Sequence, residues 1–371
     1  MVLLILGGML LVLGSSLYWL TGRWLSLYGV CVKKRSIRLV RIGAVLVIAL
    51  LSWLWRMTIL IALHLMVLFL LMDIGAFVLR RAGKNHREDR WFRIFRRIYR
   101  SGLVPVLITC LILGYGAYNM TRIVPTEYTI STDKVQSDYR VILITDTHYG
   151  TIQNPDVLKR KIDEMNGWNP DLVVLGGDIV EEGTSKKSME EAFHVLGGLK
   201  STFGTYYVYG NHDRQDYADA AFGTRTYTVQ ELQKAIESNG ITILCDSWVS
   251  VGEELILAGR NDAGTLSGRA DAKDLLKDTD RDRFIITADH QPVGIKENAG
   301  LGVDLQLSGH THAGQIFPVG YFTDWLLEPN YGKYEEEECT LIVSSGATGW
   351  GFPVRTQEKC EYVVIDIVPE K

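Results

Sequence analysis

His310 and His312 stand two positions apart, between glycines, directly after an apolar stretch at 303–307. The alternation in that stretch is typical of a strand that enters a protein core. Neutral imidazole is the side chain most often used to bind transition metals, so a His-x-His pair at a strand end indicates a pair of metal ligands. Alone the pair is a modest signal, because histidines that bind no metal also occur in cores and on surfaces.

Three earlier strand–helix units end in residues that can bind the same ions. Their strands are predicted at 139–144, 172–175 and 206–209. The polar residues that follow these strands are Asp146, His148, Asp178, Asn211, His212 and Asp213. In α/β sheets, ligand-binding residues gather at the carboxyl ends of the strands. Turn formation alone would explain Asp178, but it does not explain why histidines recur in the set.

A fourth strand, predicted at 283–288, is followed by His290. The candidate ligands are then Asp146, His148, Asp178, Asn211, His290, His310 and His312. They comprise two carboxylates, one amide and four imidazoles. This set is large enough for two metal ions if Asp178 bridges them, and mixed oxygen and nitrogen ligands suit divalent transition metals.

Five motifs in this order resemble the calcineurin-like metallophosphoesterase family. They are Asp-x-His, Gly-Gly-Asp, Gly-Asn-His-Asp, a single His after a strand, and Gly-His-x-His, and the resemblance spans residues 139 to about 367. The C-terminal stretch that contains Gly346, Trp350 and Arg355 resembles the membrane-associated bacterial branch of that family. The resemblance implies an α/β fold in which a β-sandwich is flanked by helices.

The resemblance also implies a role for each ligand. A first metal ion would lie on Asp146, His148 and His312, a second on Asn211, His290 and His310, and Asp178 would bridge them. The metals of the family are commonly manganese, iron or zinc. Oxygen-rich mixed ligation leaves manganese and iron at least as suitable as zinc.

The implied activity is hydrolysis of a phosphate monoester or diester. His212 lies beside a predicted ligand without being placed as one, and we hypothesise that it stabilises or protonates the leaving oxygen. Glu181, three residues after Asp178, is a candidate for orienting His212, and Asp213 is the other.

The first 120 residues differ from the rest of the chain in being apolar and basic. A helix needs about 20 apolar residues to cross a membrane. Four transmembrane helices are predicted, at Met1–Leu20, Leu39–Trp55, Thr58–Leu79 and Leu103–Tyr118. A signal peptide is the alternative for the first, but neither a basic leading stretch nor an Ala-x-Ala-like cleavage site accompanies it.

Lysines and arginines cluster between the first and second spans and again between the third and fourth. The positive-inside rule places both basic loops in the cytoplasm and everything after residue 118 outside the cell membrane of a bacterium. The second loop, residues 80–100, has apolar side chains at helical spacing opposite arginines. This predicts an amphipathic helix on the anionic inner leaflet, with a solvated connector as the alternative. Residues 121–138 are predicted to be a linker, and residues 139–371 a metallophosphoesterase domain.

A phosphoesterase domain held at the bilayer would meet phospholipids or lipid-linked envelope precursors as substrates, with membrane lipids as further partners. Soluble phosphoesters are the alternative. The net charge of −4 gives no reason to expect a nucleic-acid partner.

One rival function is a non-catalytic, metal-dependent membrane sensor on the same scaffold. A transporter is the other, and the scarcity of charged residues in the spans argues against it.

The chain has five cysteines, too few and too scattered for a cysteine-based zinc site. Cys339 and Cys360 lie on successive predicted strands. A disulfide between them is one option if they face an oxidising compartment.

Overall fold

A computed structural model describes the chain at residues 14–25, 34–54, 56–82, 90–218, 224–264, 268–326 and 329–370. The chain divides into two compact units, Met1–Gly114 and Tyr115–Lys371. The first unit is helical, and the second contains both strands and helices.

The helices of the N-terminal part are α1 (14–25), α2 (Lys34–Leu54), α3 (Met57–Ala82), α4 (Arg90–Ser101) and α5 (Leu103–Met120). Among the described residues, two stretches are long and apolar enough to cross a membrane, Met57–Arg81 in α3 and Leu103–Met120 in α5. They coincide with the third and fourth predicted spans. The first predicted span lies mostly outside the described residues, so the four-span arrangement stays a prediction.

Helix α4 begins inside the basic segment that was predicted to be amphipathic. Its Tyr99 hydroxyl donates a hydrogen bond of 2.8 Å to Asp73 of α3. Asp73 also forms an ion pair with Arg23, with Nε 2.9 Å from Oδ1. The carboxylate of α3 is therefore paired within the first unit, while Trp91 on α4 is 80% exposed.

The second unit is built on two six-stranded sheets. The strands of the first sheet are β1 (Ile123–Thr132), β2 (Tyr139–Ile144), β3 (Leu172–Leu175), β4 (Thr205–Tyr207), β5 (Ile241–Ile243) and β12 (Cys360–Pro369). Those of the second sheet are β6 (Ser247–Val251), β7 (Leu255–Gly259), β8 (Phe284–Ala288), β9 (Leu305–Ser308), β10 (Gly332–Glu336) and β11 (Cys339–Val343). The spatial orders are β1-β12-β2-β3-β4-β5 and β10-β11-β9-β8-β7-β6.

The two sheets pack face to face, with helices on their outer faces. One apolar cluster joins β2 and β3 of the first sheet to β7, β8 and β9 of the second, through side chains such as Leu143 and Leu257. The outer face of the first sheet packs on α6 (Pro155–Gly167), α7 (Lys186–Leu196) and α8 (Val229–Glu237). Helices α9 (Ala272–Leu276) and α10 (Ile295–Gly300) lie along the second sheet. Strands buried on both faces are mainly apolar rather than alternating, as in β3 and β8. The predicted layered α/β fold is confirmed.

The stretch 121–138 is not the linker predicted from its polar composition. Its greater part is β1, which pairs in parallel with β12 through ten residue pairs from Ile123–Cys360 to Thr132–Pro369. An edge strand keeps one face in solvent and can carry threonine and glutamate there. Its partner lies more than two hundred residues later in the chain, so local sequence gives little sign of the pairing.

The two strand cysteines do not form a disulfide. Both thiols are free and buried. Cys339 packs in the outer cluster of the second sheet. Cys360 packs in the outer cluster of the first sheet, beside Met120. The disulfide considered from the sequence is wrong, because the two strands lie in different sheets with their thiols on different outer faces.

Candidate metal centre

The loops that follow β2, β3, β8 and β9 meet at one end of the sandwich. Backbone hydrogen bonds join the loops in pairs: Asp146 N–H donates to Gly177 O (3.0 Å), and Gly309 N–H donates to His290 O (2.9 Å). A side-chain hydrogen bond of 2.8 Å between His290 Nδ1 and Gly176 O then connects the two sheets. The parallel strands thus deliver residues from both sheets to one place.

Several of these residues have backbone angles that side chains rarely adopt. The φ angles are 53° at Asp146, 38° at His148, 50° at Asp178, 72° at His310 and 50° at His312. A positive φ strains a residue that is not glycine, and such residues cluster at functional sites. Five of the seven predicted ligands share this feature. Turn formation alone does not explain these backbone conformations, so they indicate a functional role for the loops.

Glycines let the backbone approach the two carboxylates closely. A Cβ atom placed on Gly309 would lie 2.3 Å from Asp146 Oδ2, and one on Gly210 would lie 2.2 Å from Asp178 Oδ1. Any larger residue at either position would displace the carboxylate. The lack of space for a side chain explains why glycine is the first residue of both the Gly-Asn-His-Asp and the Gly-His-x-His motif.

The first group of candidate ligands is Asp146, His148 and His312, whose ligand atoms all lie within 4.8 Å of one another. His148 Nε2 is 3.3 Å from His312 Nε2, and the latter is 3.6 Å from Asp146 Oδ1. The other ring nitrogens face away from this group: His312 Nδ1 is 3.1 Å from Thr348 O, and His148 Nδ1 is 3.1 Å from Glu181 Oε2. Such outer partners fix the ring so that Nε2 points at a metal.

The second group is Asp178, His290 and His310, again with ligand atoms within 4.8 Å. His290 Nε2 lies 3.1 Å from Asp178 Oδ2, while its Nδ1 is bound to Gly176 O. The same Asp178 oxygen lies 4.0 Å from Nε2 of His148 in the first group. Asp178 therefore stands between the groups, where a bridging carboxylate must be.

Asn211 completes the set. Its Oδ1 is buried and has no hydrogen-bond partner among the described residues. An unsatisfied buried acceptor costs about 1–3 kcal/mol, so a cation beside it would restore a favourable contact. The neighbouring His212 N–H donates to Asp178 Oδ1 at 2.9 Å, which keeps this loop against the bridging carboxylate. The donor set therefore fits a pair of divalent ions.

The pKa shifts differ among the predicted ligands. Burial lowers the pKa of His148, but Glu181 and Asp178 raise it more, and burial lowers the pKa of His290, but Asp178 raises it more. The other two histidines are shifted towards the neutral form. Burial is the main cause that lowers the pKa of His312 to about 3, with Asp146 opposing it and His148 and Arg355 adding to it. Burial also lowers the pKa of His310, and His290 adds to that effect. For Asp178, burial raises the pKa, but the surrounding histidines lower it further, and the net pKa is well below its usual value. Neutral imidazoles beside an ionised carboxylate are what metal binding needs.

His212 has a different environment from the ligand histidines. Its Nδ1 lies 2.7 Å from Glu182 Oε2. Burial lowers the pKa of His212, but the hydrogen bond to Glu182 and the charges of Asp178 and Glu182 raise it more, to about 9. A raised pKa favours the protonated ring, which is the form that a proton donor to a leaving oxygen requires.

The two residues predicted to orient His212 contact other groups instead. Glu181 faces His148 rather than His212. Asp213 accepts backbone hydrogen bonds of 2.6–3.1 Å from Asp178, Ile179, Val180 and Gly210. Asp213 thus holds the loops around the bridging carboxylate. Glu182 was not predicted from the sequence, although it is adjacent to Glu181. The course of the turn after Asp178 determines which glutamate faces which histidine, and residue spacing does not reveal that course.

The loop after β11 forms one wall of the site. Trp350 stacks on the His212 ring, with centroids 5.4 Å apart and planes at 25°, and it is 38% exposed. Arg355 is fully buried and donates to His312 O (3.0 Å) and Thr348 O (2.7 Å). Arg355 therefore braces the His312 loop, while Trp350 borders the opening beside His212.

Comparisons with known proteins agree with this geometry. Residues 139–314 match the calcineurin-like phosphoesterases. An uncharacterised metallophosphoesterase of Helicobacter pylori is 32% identical over 268 residues, which is 70% of this chain and 69% of that protein. A transmembrane protein with a metallophosphoesterase domain from Danio rerio is 28% identical over 324 residues, 81% and 70% of the two chains. An uncharacterised metallophosphoesterase of Bacillus subtilis is 26% identical over 294 residues, 74% and 98%.

Proposed function

Because this chain belongs to the calcineurin-like phosphoesterase family, we propose that it is a membrane-attached hydrolase of phosphate monoesters or diesters. The observation that carries the proposal is the convergence of two ligand groups on Asp178, with the His212–Glu182 pair directly beside them. A site that only stored metal would need the ligands but not the histidine.

The chain would hold two divalent ions of manganese, iron or zinc. Asp146, His148 and His312 would bind the first, Asn211, His290 and His310 the second, and Asp178 both. When bound, such a pair of ions activates a water molecule and offsets the negative charge of the phosphoryl oxygens. Glu181, Thr348 and Gly176 keep the ligand imidazoles oriented through their other ring nitrogens.

His212 would act as the general acid. Glu182 accepts the Nδ1 proton of His212, so the remaining N–H of the imidazolium is at Nε2, the atom free to donate. Transfer of that proton to the leaving oxygen avoids the expulsion of an alkoxide. Trp350 would keep the ring in position by stacking against it.

We also propose that the substrate is a phospholipid or a lipid-linked envelope precursor. The apolar helices α3 and α5 and the transmembrane relative support attachment to a membrane. The basic residues that flank the predicted spans favour a domain on the outer side of a bacterial cell membrane. A substrate anchored in the same bilayer would then lie near the phosphoesterase domain. Soluble phosphoesters are the alternative.

A substrate panel tests the proposal. The purified full-length protein is assayed with an aryl phosphodiester, an aryl phosphomonoester and phosphatidic acid in mixed micelles, each with added manganese, iron or zinc. We expect hydrolysis of at least one substrate that a chelator abolishes. His212→Ala should lower turnover by about 100-fold or more with its metal content unchanged. His194→Ala, which alters an exposed histidine on α7, is the matched control.

The rival function, a metal-dependent membrane sensor, gives the opposite result. Such a protein would bind metal with the full stoichiometry and hydrolyse none of the panel. The pairing of His212 with Glu182 favours the enzyme, because a sensor has no use for a proton donor.

A further inference from the structure

Helix α11 (Val319–Leu326) and the residues before it carry an exposed aromatic face, which consists of Phe317, Tyr321, Phe322 and Trp325. These side chains are 60%, 64%, 57% and 79% exposed. Trp325 lies four positions after Tyr321 and three after Phe322, so its side chain is next to both on the helix surface. Four large aromatic side chains exposed together mark a site of interaction with a protein or a membrane.

The opposite side of α11 is packed against the metal-binding loop. Gly320 N–H donates to Gln357 Oε1 at 3.0 Å. A Cβ on Gly314 would lie only 2.1 Å from Gly320 N, so the two glycine backbones are in direct contact. The Asp324 carboxylate accepts a hydrogen bond of 2.6 Å from the Tyr334 hydroxyl. The helix is therefore fixed in place, and its aromatic face cannot turn inward.

The segment 355–358 links α11 to the end of α5 within the second unit. Thr356 Oγ1 accepts from Phe317 N–H at 3.0 Å. Asn119, in the last turn of α5, donates to Arg355 O (3.2 Å) and Glu358 O (2.6 Å). One four-residue segment thus holds both the aromatic face and the end of an apolar helix.

The end of α5 has the character of a membrane boundary. Tyr115 and Tyr118 are 59% and 58% exposed. Tyrosine and tryptophan are enriched where transmembrane helices leave the hydrocarbon region, because an apolar ring with a polar group suits the headgroup layer. The aromatic face of α11 includes the same two residue types, in Tyr321 and Trp325, and hydrogen bonds through the segment 355–358 connect it to this turn.

We propose that the aromatic face of α11 inserts into the headgroup layer of the bilayer that α5 enters. The proposal rests on the proposed membrane attachment of α5 and extends the proposed function. A short helix with large apolar side chains on one side binds a membrane in the plane of its interface. The bilayer is favoured over a second copy of the chain because α5, an apolar helix long enough to cross a membrane, ends at the same segment.

Such insertion would bring the opening of the metal centre to the membrane surface. Only a few residues separate His312 from α11. Gln315, between them, accepts from Trp350 N–H at 2.8 Å, and Trp350 stacks on His212. The aromatic face and the wall of the site are therefore parts of one hydrogen-bonded structure, which would receive a phosphoester headgroup directly from the bilayer.

The test measures the depth of residue 325 in a bilayer. Trp325→Cys is made in the full-length chain in which every thiol except the buried Cys339 and Cys360 is removed by Cys31→Ser, Cys110→Ser and Cys245→Ser. The protein is labelled with bimane and reconstituted in vesicles of phosphatidylcholine and phosphatidylglycerol. The matched control is Asp282→Cys, an exposed residue that precedes β8 and so lies at the opposite end of that strand from the metal centre. Part of the phosphatidylcholine is brominated near the top of its acyl chains.

We expect bromine to quench the label at 325 at least roughly threefold more than the label at 282, because only the former lies in the interface. Equal quenching at both positions would overturn the proposal. A disulfide that forms between the unlabelled thiols at position 325 of two chains when an oxidant is added, together with no quenching of the labelled protein, would also overturn it and assign the face to self-association. The readout needs no enzymatic activity, so a failure of the proposed phosphoesterase function would leave it unchanged.

Discussion

At the scale of single residues, two adjacent glutamates serve two different histidines. Glu181 lies against His148 of the first ligand group, and Glu182 lies against His212. The first contact orients a predicted metal ligand, while the second raises the pKa of the proposed proton donor. Substitution of each glutamate should therefore produce a different defect.

We predict that Glu182→Gln lowers turnover by roughly 10–100-fold with the metal content unchanged, because the amide no longer stabilises the imidazolium of His212. Metal content by elemental analysis and turnover with the preferred substrate are measured on the same preparation. Glu181→Gln is the matched variant, and it should lower metal occupancy first. If the two variants behaved alike, the separate roles would be wrong.

A second prediction at this scale concerns Asp213. Asp213→Asn replaces one acceptor oxygen by a donor and leaves buried backbone N–H groups of the loop after β3 without partners. The expected loss of stability is about 2–4 kcal/mol. Thermal unfolding in detergent measures it. Asp163→Asn, an exposed carboxylate on α6, is the control and should change stability by less than about 0.5 kcal/mol. An unchanged melting temperature for Asp213→Asn would contradict the role in holding the loop.

The residues that converge at the candidate site were predictable from sequence, and their outer contacts were not. Asp146, Asp178 and His312 belong to short motifs whose order along the chain is specific. The partner of His212 depends on the course of the backbone after a residue with positive φ. In a turn, two consecutive residues can point their side chains to different faces, and sequence spacing does not determine which face each one takes.

At the scale of elements, the strands that end at the site were predictable because they are buried on both faces and hence apolar. Strand β1 was not, since it lies at a sheet edge and pairs with a strand at the other end of the domain. Long-range pairing is decided by the whole sheet, and polar residues on an exposed face hide the strand signal.

The packing of α11 on the metal loop gives a prediction for this scale. A Cβ on Gly320 would lie 2.4 Å from Ala313 O and closer still to the Gln357 side chain. We predict that Gly320→Ala lowers stability by about 1–3 kcal/mol, because the helix must move away from the His312 loop.

The control for this prediction is Gly300→Ala, where a Cβ would meet nothing within 4 Å. Both variants are compared with the wild type by thermal unfolding in detergent. Equal melting temperatures for the two variants would mean that the contact between α11 and the loop is loose.

At the scale of the whole molecule, the proposed orientation in the membrane rests on the basic loops, and thiol labelling tests it. Cys245 is exposed and lies in the second unit. A membrane-impermeant maleimide should label it in intact cells, in a variant with Cys110→Ser. Burial raises the pKa of Cys339 to about 12, so this buried thiol should stay unlabelled in the folded protein. Labelling of Cys245 only after cell lysis would place the domain in the cytoplasm.

The central claim is that Asp178 joins two metal sites into one centre, and the metal-to-protein ratio tests it most directly. We predict about two ions per chain in the wild type and in His212→Ala, and a fall to below about one in Asp178→Asn, because the bridge would hold both sites together. Two ions per chain in Asp178→Asn, or one ion in the wild type, would contradict it.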